Sequence, residues 1–318
     1  MDSDNHICRE GTMAEFRMTR RALLGAGAAL ALPLPRIAWA QLATLQMGDA
    51  ALMTLSDGGL MLPPGEPPSL DSSAEDVAAL FAESGFVQPE LRPVTVTLLR
   101  AGDRVILFDV GSGSNFMPTT GALPAALEAA GMAPNEITDV ALTHAHPDHL
   151  WGAIDEFDEI AFPNATFHVA QPEWDFWMAD DALSKVDPTR QMFVVGAQAR
   201  FEAIADQVRF FEPGTEVAPG VESVATFGHT PGHVSYAVHA GGESVMVVGD
   251  ALTHPILSFR RPKWRAPLDQ IPETAAETRT KLLDRLAADQ MRLIGYHLPE
   301  PGIGYAEKGA DGWAFVPA

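Results

Sequence analysis

The chain has 318 residues, 47% of them hydrophobic, with 21 basic against 42 acidic side chains and a formal net charge of −21. That length and apolar fraction suffice to bury one large core or two modest ones, and no apolar run reaches the roughly 20 residues that span a bilayer. The charge argues against a nucleic-acid partner, because neutralising phosphates takes a basic face and no Lys/Arg cluster occurs.

In chain order, the first segment reads as an address. Arg20-Arg21 stand directly before an apolar stretch, Ala22 to Leu34, which closes on small residues at Ala38-Trp39-Ala40. The pattern looks like a twin-arginine export signal cleaved after Ala40, and it predicts a periplasmic or secreted protein with no membrane anchor after cleavage. The apolar run is too short for a spanning helix and carries Pro33 and Pro35. Cleavage would leave 16 basic against 38 acidic residues and remove the one cysteine, Cys8. The remaining chain then has no disulfide and no thiolate, so any metal must sit on histidine and carboxylate.

Short β-like runs follow at Leu52 to Leu55, Val94 to Leu99 and Arg104 to Val110, the last two joined as a hairpin through Ala101-Gly102-Asp103. Met61 to Asp76, rich in Pro, Gly and Ser, is predicted as a loop. Leu123, Leu127 and Ala130 share a helical face, and Gly131 and Pro134 stop it. A buried strand at Thr138 to Thr143, a helix through Trp151 to Ile154, a strand at Thr166 to Val169 and a helical insertion opened by Asp187-Pro188 come next. The second half predicts strands at Val221 to Phe227, Tyr236 to Val238, Ser244 to Val248 and Met291 to Ile294. A helix over Pro272 to Ala288 carries Leu282, Leu283 and Leu286 on its inner face. Strands grouped in each half with few helices predict two packed sheets with helices outside, and no boundary divides residues 41–318.

The chemistry concentrates in Thr143-His144-Ala145-His146-Pro147-Asp148-His149, at the end of the apolar run Val140-Ala141-Leu142. In an extended segment, residues two apart share a face, so His144 and His146 can reach one metal together. Pro147 breaks the ladder and re-aims Asp148 and His149 toward a second point. Three more candidates stand just after apolar strands or their turns: His233 in Gly228-His229-Thr230-Pro231-Gly232-His233, Asp250 after Val247-Val248-Gly249, and His297 after Leu293-Ile294-Gly295-Tyr296.

This His-x-His-x-Asp-His segment with later His, Asp and His resembles the metallo-β-lactamase superfamily. The resemblance implies an α/β fold, a four-layer αββα sandwich of two mixed sheets with helices outside, over residues 41–318. It also implies two divalent metal ions per chain, zinc first among them. His144, His146 and His233 would hold one ion, Asp148, His149 and His297 the other, and Asp250 would bridge. True metallo-β-lactamases lack that bridging carboxylate. His229 is read as structural or as a support to a ligand, since the resemblance assigns ligation to the later histidine, and Asp109, in Phe108-Asp109-Val110-Gly111, as the residue that orients a ligand histidine by accepting its other N–H.

A narrower resemblance, to methyl parathion hydrolases, rests on His297-Leu298-Pro299-Glu300-Pro301-Gly302-Ile303-Gly304-Tyr305 with Trp313 to Pro317, and on Gly48 to Gly58. It implies an exported hydrolase of ester-type bonds, often a homodimer, with Phe116 and Trp177 near the pocket mouth. Thr253 and His254, close to Asp250, are further pocket candidates; homoserine-lactone hydrolases carry a tyrosine where Thr253 stands.

The mechanism expected is attack by a metal-bridging hydroxide on a small aryl ester, lactone or phosphotriester, with Asp148 and Asp250 as the catalytic carboxylates and Asp148 accepting a proton. Two divalent ions offset by Asp148, Asp250 and one hydroxide leave the site near +1, which favours the developing negative oxygen. The alternative is an iron-dependent redox member of the fold acting on thiols or dioxygen. A nucleic-acid-processing member and a binding protein with a vestigial site are both weaker, on charge and on the presence of all seven ligands.

Overall fold

Alternation of apolar residues at period two and at helical spacing builds this chain into four layers. The computed structural model describes residues 41–61, 69–89 and 91–318. The twin-arginine segment, Cys8 and most of the Pro-rich stretch after Met61 lie outside the described residues.

The first sheet runs in chain order: β1 (Gln41–Met47), β2 (Ala50–Met61), β3 (Leu91–Ala101), β4 (Arg104–Phe108), β5 (Asp139–Ala141), β6 (Thr166–Ala170) and β7 (Val208–Phe211). Its first four strands pair antiparallel and β4 to β7 pair parallel. The second sheet runs in reverse order, β14 (Gly312–Pro317), β13 (Ile303–Gly309), β12 (Arg292–Ile294), β11 (Glu243–Val247), β10 (Val234–Ala240), β9 (Val221–Ala225) and β8 (Glu216–Ala218), with one parallel pair, β11 to β12. Both sheets are mixed. The helices are α1 (Ala74–Glu83), α2 (Leu123–Ala129), α3 (Pro147–Leu150), α4 (Gln171–Trp177), α5 (Ala182–Lys185), α6 (Gln191–Ile204), α7 (Leu257–Arg260) and α8 (Pro272–Ala288).

Three buried clusters mark the three interfaces between layers. Leu98 and Leu107 face α2 and α6, where they meet Leu127, Val194 and Phe201. Their neighbours Leu99 and Ile106 face the other way and meet Tyr236, Val238, Val245 and Val247 between the sheets. Ala237, Met246 and Val248, one residue out of step, pack under Leu282, Leu283 and Leu286 of α8. One-residue alternation thus assigns each strand side chain to its interface, and each fully buried Leu, Val or Phe contributes roughly 1.5–3 kcal/mol.

Several elements go beyond the sequence reading, α1 and the hairpin β13–β14 among them. The end of the stretch read as a loop forms α1, because Ser73 caps it reciprocally: Asp76 N donates to Ser73 Oγ at 3.1 Å and Ser73 N to Asp76 Oδ2 at 3.2 Å. The C-terminal resemblance segment forms the hairpin β13–β14, which carries the second sheet to its edge.

Candidate metal centre

The loops that leave β5, β9, β11 and β12 converge at one end of the two sheets. The segment after β5 carries His144 and His146; Pro147 opens the single turn of α3, which points Asp148 and His149 to the same place. Asp250 follows β11 in a short turn, and His297 follows β12. All these side chains are buried.

Potential ligand atoms fall into overlapping trios within 4.8 Å of one another: His144, His146 and His229; His144, His149 and Asp250; Asp148, His149 and His297. Asp250 reaches both ends of the cluster. Its carboxylate lies 3.3 Å from His149 Nε2, 3.2 Å from His229 Nε2 and 3.4 Å from His297 Nε2. Asp148 Oδ2 is 3.1 Å from His297 Nε2 and 3.5 Å from His149 Nε2.

One assignment changes. The ring of His233 is fully engaged elsewhere: Nδ1 donates to Thr226 O at 3.1 Å, and Nε2 accepts the N–H of Asp250 at 2.9 Å. With both nitrogens occupied, His233 offers the cluster no lone pair and instead fixes the backbone of Asp250. His229, which the sequence reading makes structural or a support to a ligand, takes the inward place, with Nε2 2.9 Å from His146 Nδ1. The Pro231-Gly232 turn separates the two histidines so that only one can face inward, and the direction of that turn is a tertiary property.

The other nitrogen of most inward-facing rings is tied down from outside. His149 Nδ1 donates to Asp109 Oδ2 at 2.8 Å, as expected of Asp109, which also accepts Thr143 N and Thr143 Oγ1 at 2.7 Å each. His297 Nδ1 donates to Pro93 O at 2.7 Å. His229 Nδ1 donates to Asp269 Oδ1 at 3.0 Å, and the buried Arg279 holds Asp269 Oδ2 at 2.9 Å. His144 Nδ1 pairs with Thr143 Oγ1 at 3.0 Å. Such anchors fix the tautomer and the aim of each ring.

Charge within the cluster is strongly perturbed. Burial pushes the His229 and His297 imidazoles down, but Asp250 with Asp269 or Asp148 outweighs it and raises both to about 9. Burial and the neighbouring His229 take His233 down to about 3. Burial raises Asp148, yet His149 and His297 overcome it and bring the carboxyl to about 2. Several imidazoles compete to be cationic around two carboxylates, an arrangement suited to an added positive charge.

A cavity of about 410 Å³ opens over the cluster, its wall including Phe116, His146, Asp148, Phe193, Asp250 and His297. Phe116 stands where it was expected, against Trp151 at 5.5 Å and Phe193 at 6.2 Å. Trp177 does not line this space: it is fully buried, with Nε1 donating to Glu173 at 2.6 Å, and the apolar packing below His146 claims its ring. Thr253 and His254 line a neighbouring chamber of about 280 Å³ that shares Arg92, His229 and Leu268 with the first. There, His254 stacks on Phe81 at 5.1 Å. Phe193, Asp269, Arg279 and Glu173 were not singled out from the sequence, since nothing local distinguishes them from other core-facing or helix residues.

The family model for the metallo-beta-lactamase superfamily matches residues 89–297. The chain belongs to that superfamily. Among solved structures it is similar to the hydrolase AbOPH of the beta lactamase superfamily, at 28% identity and TM-score 0.80, covering 88% of this chain and 98% of that one. A dizinc quorum-quenching lactonase, AidC, shares the fold at 24% identity and TM-score 0.82 over the same shares of the two chains. A probable metal-dependent hydrolase from Staphylococcus aureus does so at 18% identity and TM-score 0.70, covering 86% of this chain and 99% of that one. No curated protein matches. The superfamily's neighbours are metal-dependent hydrolases, and the two mixed seven-stranded sheets of this chain fit the four-layer sandwich.

Proposed function

We propose that this chain is a hydrolase of small ester-type substrates, aryl esters, lactones or phosphotriesters, with two divalent cations held between its sheets and zinc the first choice. The observation that carries this reading is a set of buried ligand atoms with no hydrogen-bond partner: His144 Nε2, His149 Nε2, Asp148 Oδ2 and Asp250 Oδ1. Buried polar atoms left bare cost roughly 1–3 kcal/mol each, more when charged, and these four point into one small space. The facing nitrogens of His146 and His229 need a cation or a proton between them. The donor set, imidazole and carboxylate without thiolate, suits zinc, manganese or cobalt.

His144, His146 and His229 would hold one ion, and Asp148, His149 and His297 the other, with Asp250 shared. Bound there, the ions would lower the pKa of a water toward neutrality and polarise the carbonyl or phosphoryl group under attack. The protein supplies position and dryness. Asp109, Asp269 and the Pro93 carbonyl each engage Nδ1 of one imidazole and so aim Nε2 of His149, His229 and His297 into the cluster. Asp148, which lines the cavity, is the carboxylate assigned to take up a proton during the step. Phe116 and Phe193 present ring surface to an apolar leaving group and limit water entry.

The likeness to the hydrolase AbOPH supports hydrolysis, and the substrate class is drawn from the resemblance of Gly48 to Gly58 and of the C-terminal segment to methyl parathion hydrolases, with the fold shared with the lactonase AidC beside it. The twin-arginine pattern supports export and a small-molecule substrate met outside the cytoplasm, and a homodimer is the assembly proposed. Chain 41–318, purified with zinc, manganese or cobalt, is to be screened on aryl esters, acyl lactones and aryl phosphotriesters. Asp250→Ala should abolish turnover and drop metal content toward one ion per chain; undiminished turnover would refute the shared-carboxylate site.

A further inference from the structure

A buried carboxylate that touches no ligand side chain ties together the two halves of the site. Glu173, on the first turn of α4, is fully enclosed, and its two oxygens accept four hydrogen bonds. Oε1 takes the N–H of Ala145 at 2.9 Å and Trp177 Nε1 at 2.6 Å. Oε2 takes Thr230 Oγ1 at 2.6 Å and the N–H of Gly232 at 3.0 Å. Ala145 lies between His144 and His146, while Thr230 and Gly232 follow His229.

We infer that Glu173 is a positioning residue that sets the distance between the loop carrying His144 and His146 and the loop carrying His229, and so the size of the metal trio they form. The inference rests on the metal-centre reading above. The first loop belongs to one sheet and the second to the other, and the strand ladders run only within each sheet. Val234 N to Thr143 O at 3.0 Å and Tyr236 Oη to Leu142 O at 2.6 Å join the sheets at the strand ends, and Glu173 extends that tie to the loop residues beside the histidines, reaching both loops with short, charge-assisted bonds. Its geometry is built for the purpose. A Cβ on Gly232 would come within 2.1 Å of Glu173 N, so the turn approaches α4 as closely as backbone allows. A carboxylate supplies four lone-pair sites and all four are used. A carboxamide cannot match this set, because its NH₂ would meet the N–H of Ala145 or Gly232.

The test compares wild type, Glu173→Gln and Thr230→Val, each as the full 41–318 chain. Three quantities are measured: zinc affinity by chelator competition, the d–d absorption spectrum of the cobalt form, and the unfolding midpoint of the metal-free protein. Glu173→Gln should weaken zinc about 10- to 100-fold, the range found when residues supporting a ligand are lost, and shift the cobalt spectrum. Thr230→Val, which removes one of the four bonds, should do the same to a smaller extent. In turnover assays the loss should fall on kcat with KM changed less than threefold. A Glu173→Gln protein with a lowered midpoint but wild-type zinc affinity and cobalt spectrum would make Glu173 a purely structural residue and overturn the inference alone. A wild-type chain that takes up no metal would overturn the metal-centre reading and this inference together.

Discussion

At the scale of single residues, the site depends on which atom of each side chain is committed elsewhere. His229 and His233 share a turn of five residues, yet His229 turns Nε2 toward His146 and Asp250 while both nitrogens of His233 are engaged outside the cluster. His229→Ala should lower metal content toward one ion per chain and cut turnover about 1000-fold or more, an effect on the scale of losing a major electrostatic contribution. His233→Ala should keep both ions while lowering turnover, because Asp250 loses the acceptor that fixes its backbone. Metal analysis of the two variants separates these outcomes, and the reverse pattern would restore His233 as the ligand. Asp57 gives a second residue-level prediction. It sits in the bulge of β2, and its carboxylate accepts the N–H groups of Ser112 and Leu123 at 2.8 Å each. Burial raises its pKa to about 6 against those bonds. A carboxyl with a raised folded pKa binds its proton more tightly when folded, so its contribution is fully present below pH 3.8 and is lost as pH rises through 6. In urea unfolding of metal-free protein, the advantage of wild type over Asp57→Asn should shrink by about 3 kcal/mol between pH 3.5 and 7. A difference that does not vary with pH would contradict the shift.

At the scale of elements, the strands place the ligand loops and the helices aim them. Pro147 starts α3 at the point where the loop must turn, which the sequence makes legible. The docking of α4 onto the 230–232 turn is not legible, because it joins residues distant in sequence through a glycine. Gly232→Ala should cost about 3 kcal/mol of stability, since the clash is with backbone that no rotamer relieves, and should weaken metal uptake alongside it; thermal unfolding and metal titration measure both. At α8, the amphipathic spacing predicted the buried Leu282, Leu283 and Leu286 correctly. The same helix buries Arg279, whose partners Asp269, Pro262 O and Trp264 O all come from the preceding loop. A buried arginine reads from sequence as an ordinary surface charge until its partners are known.

At the scale of the whole molecule, two sheets packed on a shared apolar core carry the cluster at one end. Ions that bind only the folded chain stabilise it by mass action, about 2.7 kcal/mol at a free concentration 100 times Kd. Stripping the protein with a chelator should therefore lower the unfolding temperature by several degrees, and zinc, cobalt or manganese should restore it; a midpoint indifferent to chelator would contradict metal binding in the fold. The formal net charge of −21 leaves the surface acidic while the cluster inside gathers imidazoles. That distribution attracts cations and disfavours polyanions.

The sequence by itself determined the layered α/β class, most strands, the helix over Pro272 to Ala288 and six of the seven side chains that the fold gathers in one cluster, because period-two alternation and strand-end placement are local properties. The resemblance pointed to Asp109, which accepts from His149, and to Phe116, which lines the cavity. Tertiary structure alone decided between His229 and His233, moved Trp177 into the core, set Thr253 and His254 in a neighbouring chamber and exposed Glu173 as the tie between loops. Those outcomes depend on which way a turn faces and on what lies across the gap between two sheets. Neither is encoded within the few residues concerned; packing of the whole chain sets both.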